Sequence, residues 1–310
     1  MENNKKILIT GGTGFIGRNI LESLGSRYEF LVPSKEELDL REETSVFRYL
    51  EKNKVEMVIH AALVGGFKQE KEGGSLNILA GNLQFFFNLI RAKRFYNKMI
   101  FFGSGAEYDK RRDLKKVKET DLGLSIPAFD EYSLSKYICS EYIEKCRDII
   151  CLRLFGVYGK YDNYKFKFIS NAIIKNLLRQ DIVINQNVVF DYLFIDDLMS
   201  ILDYFILNKP EFKSYNVASD ESIDLIKISN IINEISDYKS KITVLKDGLN
   251  NEYTADNSRL KKEIPNLKFT DYKEGITKLF QYYQKNINKI DKDAILQDQY
   301  LNITKLKNNL

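Results

Sequence analysis

A short apolar strand that leads directly into closely spaced glycines is the feature that most limits what this chain can fold into. Residues Lys5–Thr10 form the strand-like run, and the glycines after it have the spacing Gly-x-x-Gly-x-x-Gly and precede a helical pattern that continues to Leu24. Glycine lets a backbone approach a pyrophosphate closely, and the start of the next helix offers free N–H groups to phosphates. This context predicts a dinucleotide-binding site rather than a purely structural turn. Its residues are Gly11, Thr13, Gly14, Phe15, Ile16 and Gly17.

Strands and helices alternate through the first half of the chain. The strand-like segments after the first are Tyr28–Val32, Val55–Ala61, Lys98–Phe102 and Ile149–Phe155, and helical patterns separate them at Val46–Lys52, Leu76–Phe95 and Asp130–Cys146. This order predicts an α/β fold with a doubly wound parallel sheet, a Rossmann domain, over residues 1–160. After residue 160 the strands and helices alternate less regularly. This change predicts a smaller α/β substrate-binding domain over 161–310, with residues 188–208 returning to the first domain. A Lys/Asn-rich tail follows Asn286.

The composition excludes several classes of site and partner. His60 is the only histidine, and the three cysteines lack paired spacing, so we expect no metal site. The net charge of +4 is too mild to indicate nucleic-acid binding. No apolar run approaches the roughly 20 residues of a membrane span, and the N-terminus does not resemble a signal peptide. We therefore expect a cytoplasmic protein without a nucleic-acid or membrane partner.

The end of the second predicted strand bears on which nicotinamide cofactor is preferred. NAD-binding folds usually place an acidic residue there, where it hydrogen-bonds the ribose 2′-hydroxyl. Here the strand is followed by Pro33, Ser34 and Lys35, and no acid stands at this position. Ser34 and Lys35 suit a 2′-phosphate, so the sequence predicts NADP(H), with NAD(H) possible. The alternative is that Lys35 is an ordinary surface lysine.

Tyr132 and Lys136 form the candidate catalytic pair. They are four residues apart on a predicted helix and therefore share one face. A tyrosine hydroxyl has a pKa of about 10, and a nearby ammonium favours its phenolate, which suits proton transfer to or from an oxygen during hydride transfer. Ser104, which follows a strand and is flanked by glycines, is the candidate for holding that oxygen. Tyr161 and Lys165 have the same spacing but lack such a serine and an apolar helix around them.

Taken together, these motifs resemble the extended short-chain dehydrogenase/reductases, the epimerase/dehydratase superfamily that acts on nucleotide sugars. The segments Arg153–Gly159, Phe190–Asp197 and Asp256–Arg259 resemble further signatures of that superfamily. The resemblance implies that Ser104, Tyr132 and Lys136 are catalytic. It implies further cofactor contacts from Asp39, Leu40, Ala61, Ala62, Leu63, Asn82, Tyr132 and Lys136. For a nucleotide-sugar substrate, the candidate residues are Val64, Gly65, Ser104, Gly105, Ala106, Lys165 and Arg259.

Departures from the family pattern narrow the expected reaction. Dehydratases carry an Asp-Glu pair directly after the catalytic serine or threonine, whereas Gly105 and Ala106 follow Ser104 here. Within the family, the chain is similar to the 4-keto sugar reductases that include GDP-L-fucose synthase, which place a cysteine where Ala106 stands. The sequence therefore predicts NADPH-dependent reduction at C4 of a nucleotide-linked deoxysugar, without inversion at C3 or C5. A C4-epimerase that retains NAD(H) and a non-catalytic cofactor-binding protein are the alternatives.

The segment Leu76–Phe95 is apolar on most faces, which indicates burial on more than one side. Relatives dimerise through this helix and the helix that carries the catalytic tyrosine, so the resemblance implies a homodimer. The alternative is that the two helices are partners within one chain.

Overall fold

The computed structural model describes residues 5–65 and 77–307, and its centre is a six-stranded parallel sheet. The strands are β1 (Lys6–Thr10), β2 (Glu29–Leu31), β3 (Met57–His60), β4 (Lys98–Ser104), β5 (Leu114–Val117), β6 (Ile149–Leu154), β7 (Val157–Tyr158), β8 (Ile182–Asn187), β9 (Val189–Phe190), β10 (Leu193–Phe194), β11 (Ser214–Val217), β12 (Ile223–Asp224), β13 (Ile242–Leu249) and β14 (Tyr253–Ala255). The order in the large sheet is β11-β6-β4-β3-β1-β2. The predicted α/β fold with a parallel sheet is therefore confirmed.

Helices cover both faces of this sheet. They are α1 (Phe15–Leu24), α2 (Glu43–Asn53), α3 (Ile78–Arg91), α4 (Glu131–Ile143), α5 (Phe168–Leu177), α6 (Ile195–Leu207), α7 (Leu225–Ile235), α8 (Ser258–Glu263), α9 (Tyr272–Asn286), α10 (Lys292–Leu296) and α11 (Gln299–Lys307). Side chains alternate along a strand, so Ile7 and Ile9 join the core beneath α1 and α6, while Leu8 joins the core beneath α2, α3 and α4. Each face is apolar, as a doubly covered sheet requires.

The second half of the chain contributes to the large sheet as well as to smaller ones. Strand β11 pairs in parallel with β6, and α6 packs on α1. The remaining strands form a four-stranded sheet, β12-β9-β14-β5, and two two-stranded sheets. The chain thus crosses between its two parts several times, and the division at residue 160 stays a prediction.

Two predicted segments differ in the structure. The helix predicted over Leu76–Phe95 appears as α3 followed by a 3₁₀ turn over Lys93–Phe95, and Leu76 lies outside the described residues. The segment past Asn286, interpreted as a tail, forms α10 and α11. Ile295 and Leu301 are buried there, and Lys175 pairs with Asp298 at 2.6 Å, so tertiary contacts stabilise helices whose apolar pattern is weak.

Helices α3 and α4 pack against each other within one chain. The Tyr142 ring meets Phe86 and Phe87 edge-on, with centroids 6.0 and 5.2 Å apart. Each helix therefore already has an intramolecular partner, and pairing of two copies through them stays a prediction. In residues 5–65 and 77–307, no helix has the length and apolarity to cross a bilayer.

Candidate active site

The glycine loop between β1 and α1 has a shape that only glycine allows. Gly11 has a φ of +72°, and a Cβ there would lie 2.7 Å from the Ala62 nitrogen. A Cβ on Gly17 would lie 2.4 Å from the Gly11 carbonyl oxygen. Helix α1 begins at Phe15, and its N-cap Gly14 has no side chain to occupy the free N–H groups of the first turn. A narrow cradle that leads to a helix start fits a dinucleotide pyrophosphate.

We expect Gly11→Ala to weaken NADPH binding by at least about tenfold, since the methyl group forces the loop away from Ala62. Fluorescence titration of NADPH measures the dissociation constant. Gly248→Ala is the matched control, because Gly248 also has a positive φ, +76°, but no atom lies within 4 Å of its Cβ position. Equal NADPH affinity in the two variants would contradict this function of the cradle.

Asn82 connects the segment after β3 to the helix that carries Tyr132, the candidate catalytic tyrosine. Its Oδ1 accepts the Val64 N–H at 2.8 Å, and its Nδ2 donates to the Val64 carbonyl at 3.3 Å and to the Ser135 hydroxyl at 3.5 Å. The structure thus places Asn82 as an anchor for predicted site residues. The segment after β3 that holds Val64 also contains the predicted residues Ala61, Ala62, Leu63 and Gly65. Their contacts with cofactor or substrate stay predictions.

The structure brings the three predicted catalytic residues together. Ser104 ends β4, and Tyr132 and Lys136 lie on the first turns of α4, whose N-cap Asp130 accepts the Ser133 N–H at 2.6 Å. The Ser104 hydroxyl lies near enough to the Tyr132 hydroxyl to lower its pKa. Lys136 is buried and donates to the Phe102 carbonyl at 2.7 Å. By contrast, Tyr161 bonds Glu22 on α1, so the second Tyr/Lys pair is not assembled in this way.

The proton affinity of Tyr132 differs from what the sequence led us to expect. Burial raises the pKa of Tyr132 to about 12, and the nearby Ser104 hydroxyl only partly opposes this effect. The Lys136 ammonium donates to a backbone carbonyl, and burial lowers its pKa. The expectation that Lys136 depresses the pKa of Tyr132 is therefore not met in this structure. Tyr132 is protonated at neutral pH, as a proton donor must be.

His60 lies at the end of β3 beneath this site. Its Nδ1 is 2.7 Å from the Thr10 hydroxyl, and burial together with the charge of Lys136 lowers its pKa to about 3. The imidazole is therefore neutral at neutral pH and serves to hold Thr10, which also accepts the Ala62 N–H at 3.2 Å. Among the described residues, no cluster of three His, Cys, Asp or Glu side chains could hold a metal ion.

Tyr253 is a site residue that the sequence analysis missed. It comes from β14, and its hydroxyl lies 2.5 Å from the position of a Cβ on Gly105. Its ring packs between Phe155 and Phe190, with centroid distances of 5.0 and 5.6 Å. Burial raises its pKa well above the ordinary value. No local motif marks one tyrosine among 19, because only the fold brings β14 to the end of β4.

The buried ion pair between Glu107 and Arg153 holds the backbone of Ser104 in place. Glu107 accepts the Ser104 N–H at 2.8 Å with one oxygen and the Arg153 Nε–H at 2.8 Å with the other. Both side chains are fully buried. Arg153 also reaches the Tyr108 hydroxyl at 3.4 Å and Glu144 at 3.3 Å. The position of Ser104, the candidate catalytic serine, therefore depends on β6 as well as on its own strand.

The residues predicted to contact the adenosine end of the cofactor lie along the loop after β2. Ser34 and Glu37 bond reciprocally: the Ser34 N–H donates to the Glu37 carboxylate at 2.8 Å, and the Glu37 N–H to the Ser34 hydroxyl at 3.4 Å. Lys35 is exposed. Asp39 accepts the Arg41 N–H at 2.9 Å, and Leu40 is buried.

Two cations proposed for the substrate phosphates have partners elsewhere. Lys165 pairs with Asp291 at 2.6 Å, and Arg259 lies 3.7 Å from Glu119 and donates to the Ser214 carbonyl at 3.1 Å. A phosphate contact from either one would require these interactions to be exchanged. The structure does not itself bring them to Ser104.

Comparison with known proteins defines the class. Residues 7–218 match the model described as the NAD dependent epimerase/dehydratase family. The chain therefore belongs to this family of NAD(P)-dependent enzymes that modify nucleotide sugars, and the resemblance inferred from the sequence is confirmed.

Individual relatives span nearly the whole chain. GDP-L-colitose synthase from Yersinia pseudotuberculosis is 27% identical over 308 residues, covering 91% of this chain and 99% of that protein. ADP-L-glycero-D-manno-heptose-6-epimerase from Brachyspira hyodysenteriae is 23% identical and covers 90% of this chain and 98% of its own. The crystal structure of a GDP-L-fucose synthetase from Naegleria fowleri bound to NADP has a similar fold, with a TM-score of 0.78 at 18% identity, covering 93% of this chain and 95% of that one.

Proposed function

We propose that the protein reduces the C4 ketone of a nucleotide-linked, 6-deoxy-type sugar with NADPH. The observation that carries this proposal is that Ser104, at the end of β4, lies beside Tyr132 at the start of α4, with Lys136 one helical turn further on. A neutral tyrosine beside a serine hydroxyl can donate a proton to a carbonyl oxygen and hold it at the same time.

The chain supplies every group that the ketone oxygen needs. When bound in the Gly11 cradle, the nicotinamide cofactor supplies the hydride for the ketone carbon. Ser104 holds the ketone oxygen, and Tyr132 transfers its hydroxyl proton to that oxygen as the alcohol forms. Lys136, buried on the same helix face, donates to the Phe102 carbonyl and so holds this helix against β4. One hydride and one proton thus convert the ketone into an alcohol.

The neighbours of Ser104 favour this reaction over dehydration and over inversion at C3 or C5. Elimination, and inversion at C3 or C5, both need a further acid or base near the serine. Gly105 lies under the Tyr253 hydroxyl and Ala106 is completely buried, and neither has a titratable side chain. The name of the Yersinia relative, a synthase of a GDP-linked deoxysugar, is consistent with this substrate class.

We expect NADPH to be used with at least about tenfold higher kcat/KM than NADH, because Ser34 and the exposed Lys35 follow β2 where an acid would otherwise bind the ribose. Lys35→Glu should reverse the preference by repelling the 2′-phosphate. Lys52→Glu makes the same charge change at an exposed position on α2 and is the control. A wild-type preference for NADH would contradict the assignment of Lys35.

The reaction itself is tested by offering GDP-, dTDP-, CDP- and UDP-linked 4-keto sugars while NADPH absorbance is followed. Stoichiometric oxidation of NADPH with one of them is the expected result. A putative UDP-glucose 4-epimerase from Methanocaldococcus jannaschii, 27% identical over 223 residues, motivates the second candidate, a C4-epimerase. Such an enzyme would be purified with bound cofactor and would interconvert two sugars without net NADPH consumption. Binding of NADPH without either reaction would contradict both and favour a non-catalytic protein.

A further inference from the structure

The catalytic serine is in contact with more hydrogen-bonding groups than the reaction requires. Its Oγ accepts the Ala106 N–H at 3.2 Å, and it lies near enough to the Tyr132 and Tyr253 hydroxyls to lower the pKa of both. A serine hydroxyl has one proton to donate and two lone pairs to accept with. The Ala106 N–H occupies one lone pair, so the other lone pair and the proton remain for the two tyrosine hydroxyls.

We propose that Tyr253 is a positioning residue that donates its proton to the second lone pair of Ser104 and so directs the Ser104 proton toward the reacting oxygen beside Tyr132. With both lone pairs occupied, the serine hydroxyl has one remaining use, which is donation. This proposal rests on the proposed ketone reduction, since it is that oxygen which receives the Ser104 hydrogen bond.

The fold holds Tyr253 in this place from two sides. Its ring is packed between Phe155 and Phe190, and β14 is paired with both β5 and β9. Its hydroxyl lies over Gly105, where any Cβ would come within 2.5 Å of it. Glycine after the catalytic serine thus makes room for the tyrosine hydroxyl. This gives Gly105 a role other than the substrate contact predicted from the sequence.

Asp191 fixes the strand that carries this tyrosine. The buried Asp191 carboxylate accepts the Ala255 N–H at 2.8 Å and the Ser222 hydroxyl at 2.5 Å, and it lies 3.2 Å from the Lys116 ammonium. These contacts join β14 to β5 and to the residue just before β12. The second half of the chain therefore delivers a hydroxyl to Ser104 from a rigid element, as orientation of a proton requires.

A double-mutant cycle tests the proposal with the 4-keto sugar that the wild type reduces. Tyr253→Phe keeps the ring and removes only the hydroxyl, and we expect kcat to fall about tenfold while KM for the sugar and the Kd of NADPH stay within about twofold. In the Ser104→Ala background, Tyr253→Phe should change kcat less than about twofold, because the group it orients is gone. Tyr96→Phe, which loses a hydroxyl bonded to the Leu89 carbonyl remote from this site, is the control.

Several results would overturn the proposal. An unchanged kcat in Tyr253→Phe would do so, and so would an equal fall with and without Ser104, which would mean that Tyr253 acts on another group. A large loss of thermal stability or NADPH affinity would indicate a structural role. If no 4-keto sugar is reduced, the proposed function fails, but crystal structures still test the positioning: Ser104 should adopt a second rotamer in Tyr253→Phe, and a single unchanged rotamer would refute it.

Discussion

Tyr132→Phe should lower kcat for ketone reduction by about a thousandfold, within the range that a positioned acid contributes. The variant removes only the hydroxyl that would transfer the proton, and it leaves the aromatic ring on α4 in place. Cofactor binding depends on the Gly11 cradle, so the Kd of NADPH should stay within about twofold. Single-turnover measurement of NADPH oxidation separates the chemical step from binding and product release.

Two variants make this result interpretable. Tyr142→Phe removes a hydroxyl from the same helix at a side chain that is 39% exposed, and it should keep wild-type kcat. Tyr161→Phe tests the second Tyr/Lys pair and should also keep it. The assignment of Tyr132 is wrong if its phenylalanine variant turns over at a rate near that of the wild type.

Arg153→Met is expected to have the largest effect on folding, a loss of about 3–5 kcal/mol in the free energy of unfolding. Glu107 and Arg153 are both fully buried, and removal of the guanidinium would leave the carboxylate without its compensating charge. Urea denaturation followed by circular dichroism measures the change. The double variant Arg153→Met with Glu107→Leu should recover much of the loss, since no unpaired charge then remains.

A surface ion pair provides the comparison. Lys262 and Glu211 are 2.9 Å apart, but their side chains are 64% and 55% exposed, so Lys262→Met should cost less than about 1 kcal/mol. A loss in Arg153→Met no greater than in this control would show that the buried pair contributes little to stability.

Much of the site could be predicted because its signals are local in sequence. The glycines after β1 lie within one turn and the start of one helix, and Tyr132 and Lys136 share one helical face. Ser104 was recognisable because it follows a buried strand. In each case a short segment both carries the residue type and determines its geometry.

The remaining features depend on contacts between distant segments. Tyr253 reaches Ser104 across about half the chain, and Glu107 is paired with a residue on another strand. The pKa of Tyr132 was expected to fall because the lysine spacing is visible in sequence, whereas the burial that raises it is not. The reciprocal hydrogen bonds between Ser34 and Glu37 span only three residues, yet an exposed loop has no periodic pattern that would predict them.

The position of β11 has a consequence for how the protein is made. Residues 214–217 complete the edge of the large sheet beside β6, and all four are buried. A ribosome that has released only the first 160 residues leaves the backbone of β6 without its outer neighbour, and an unpaired apolar edge invites association with other chains. The nascent chain must therefore wait for more than fifty further residues before β11 pairs with β6, and we expect that edge to stay exposed until then.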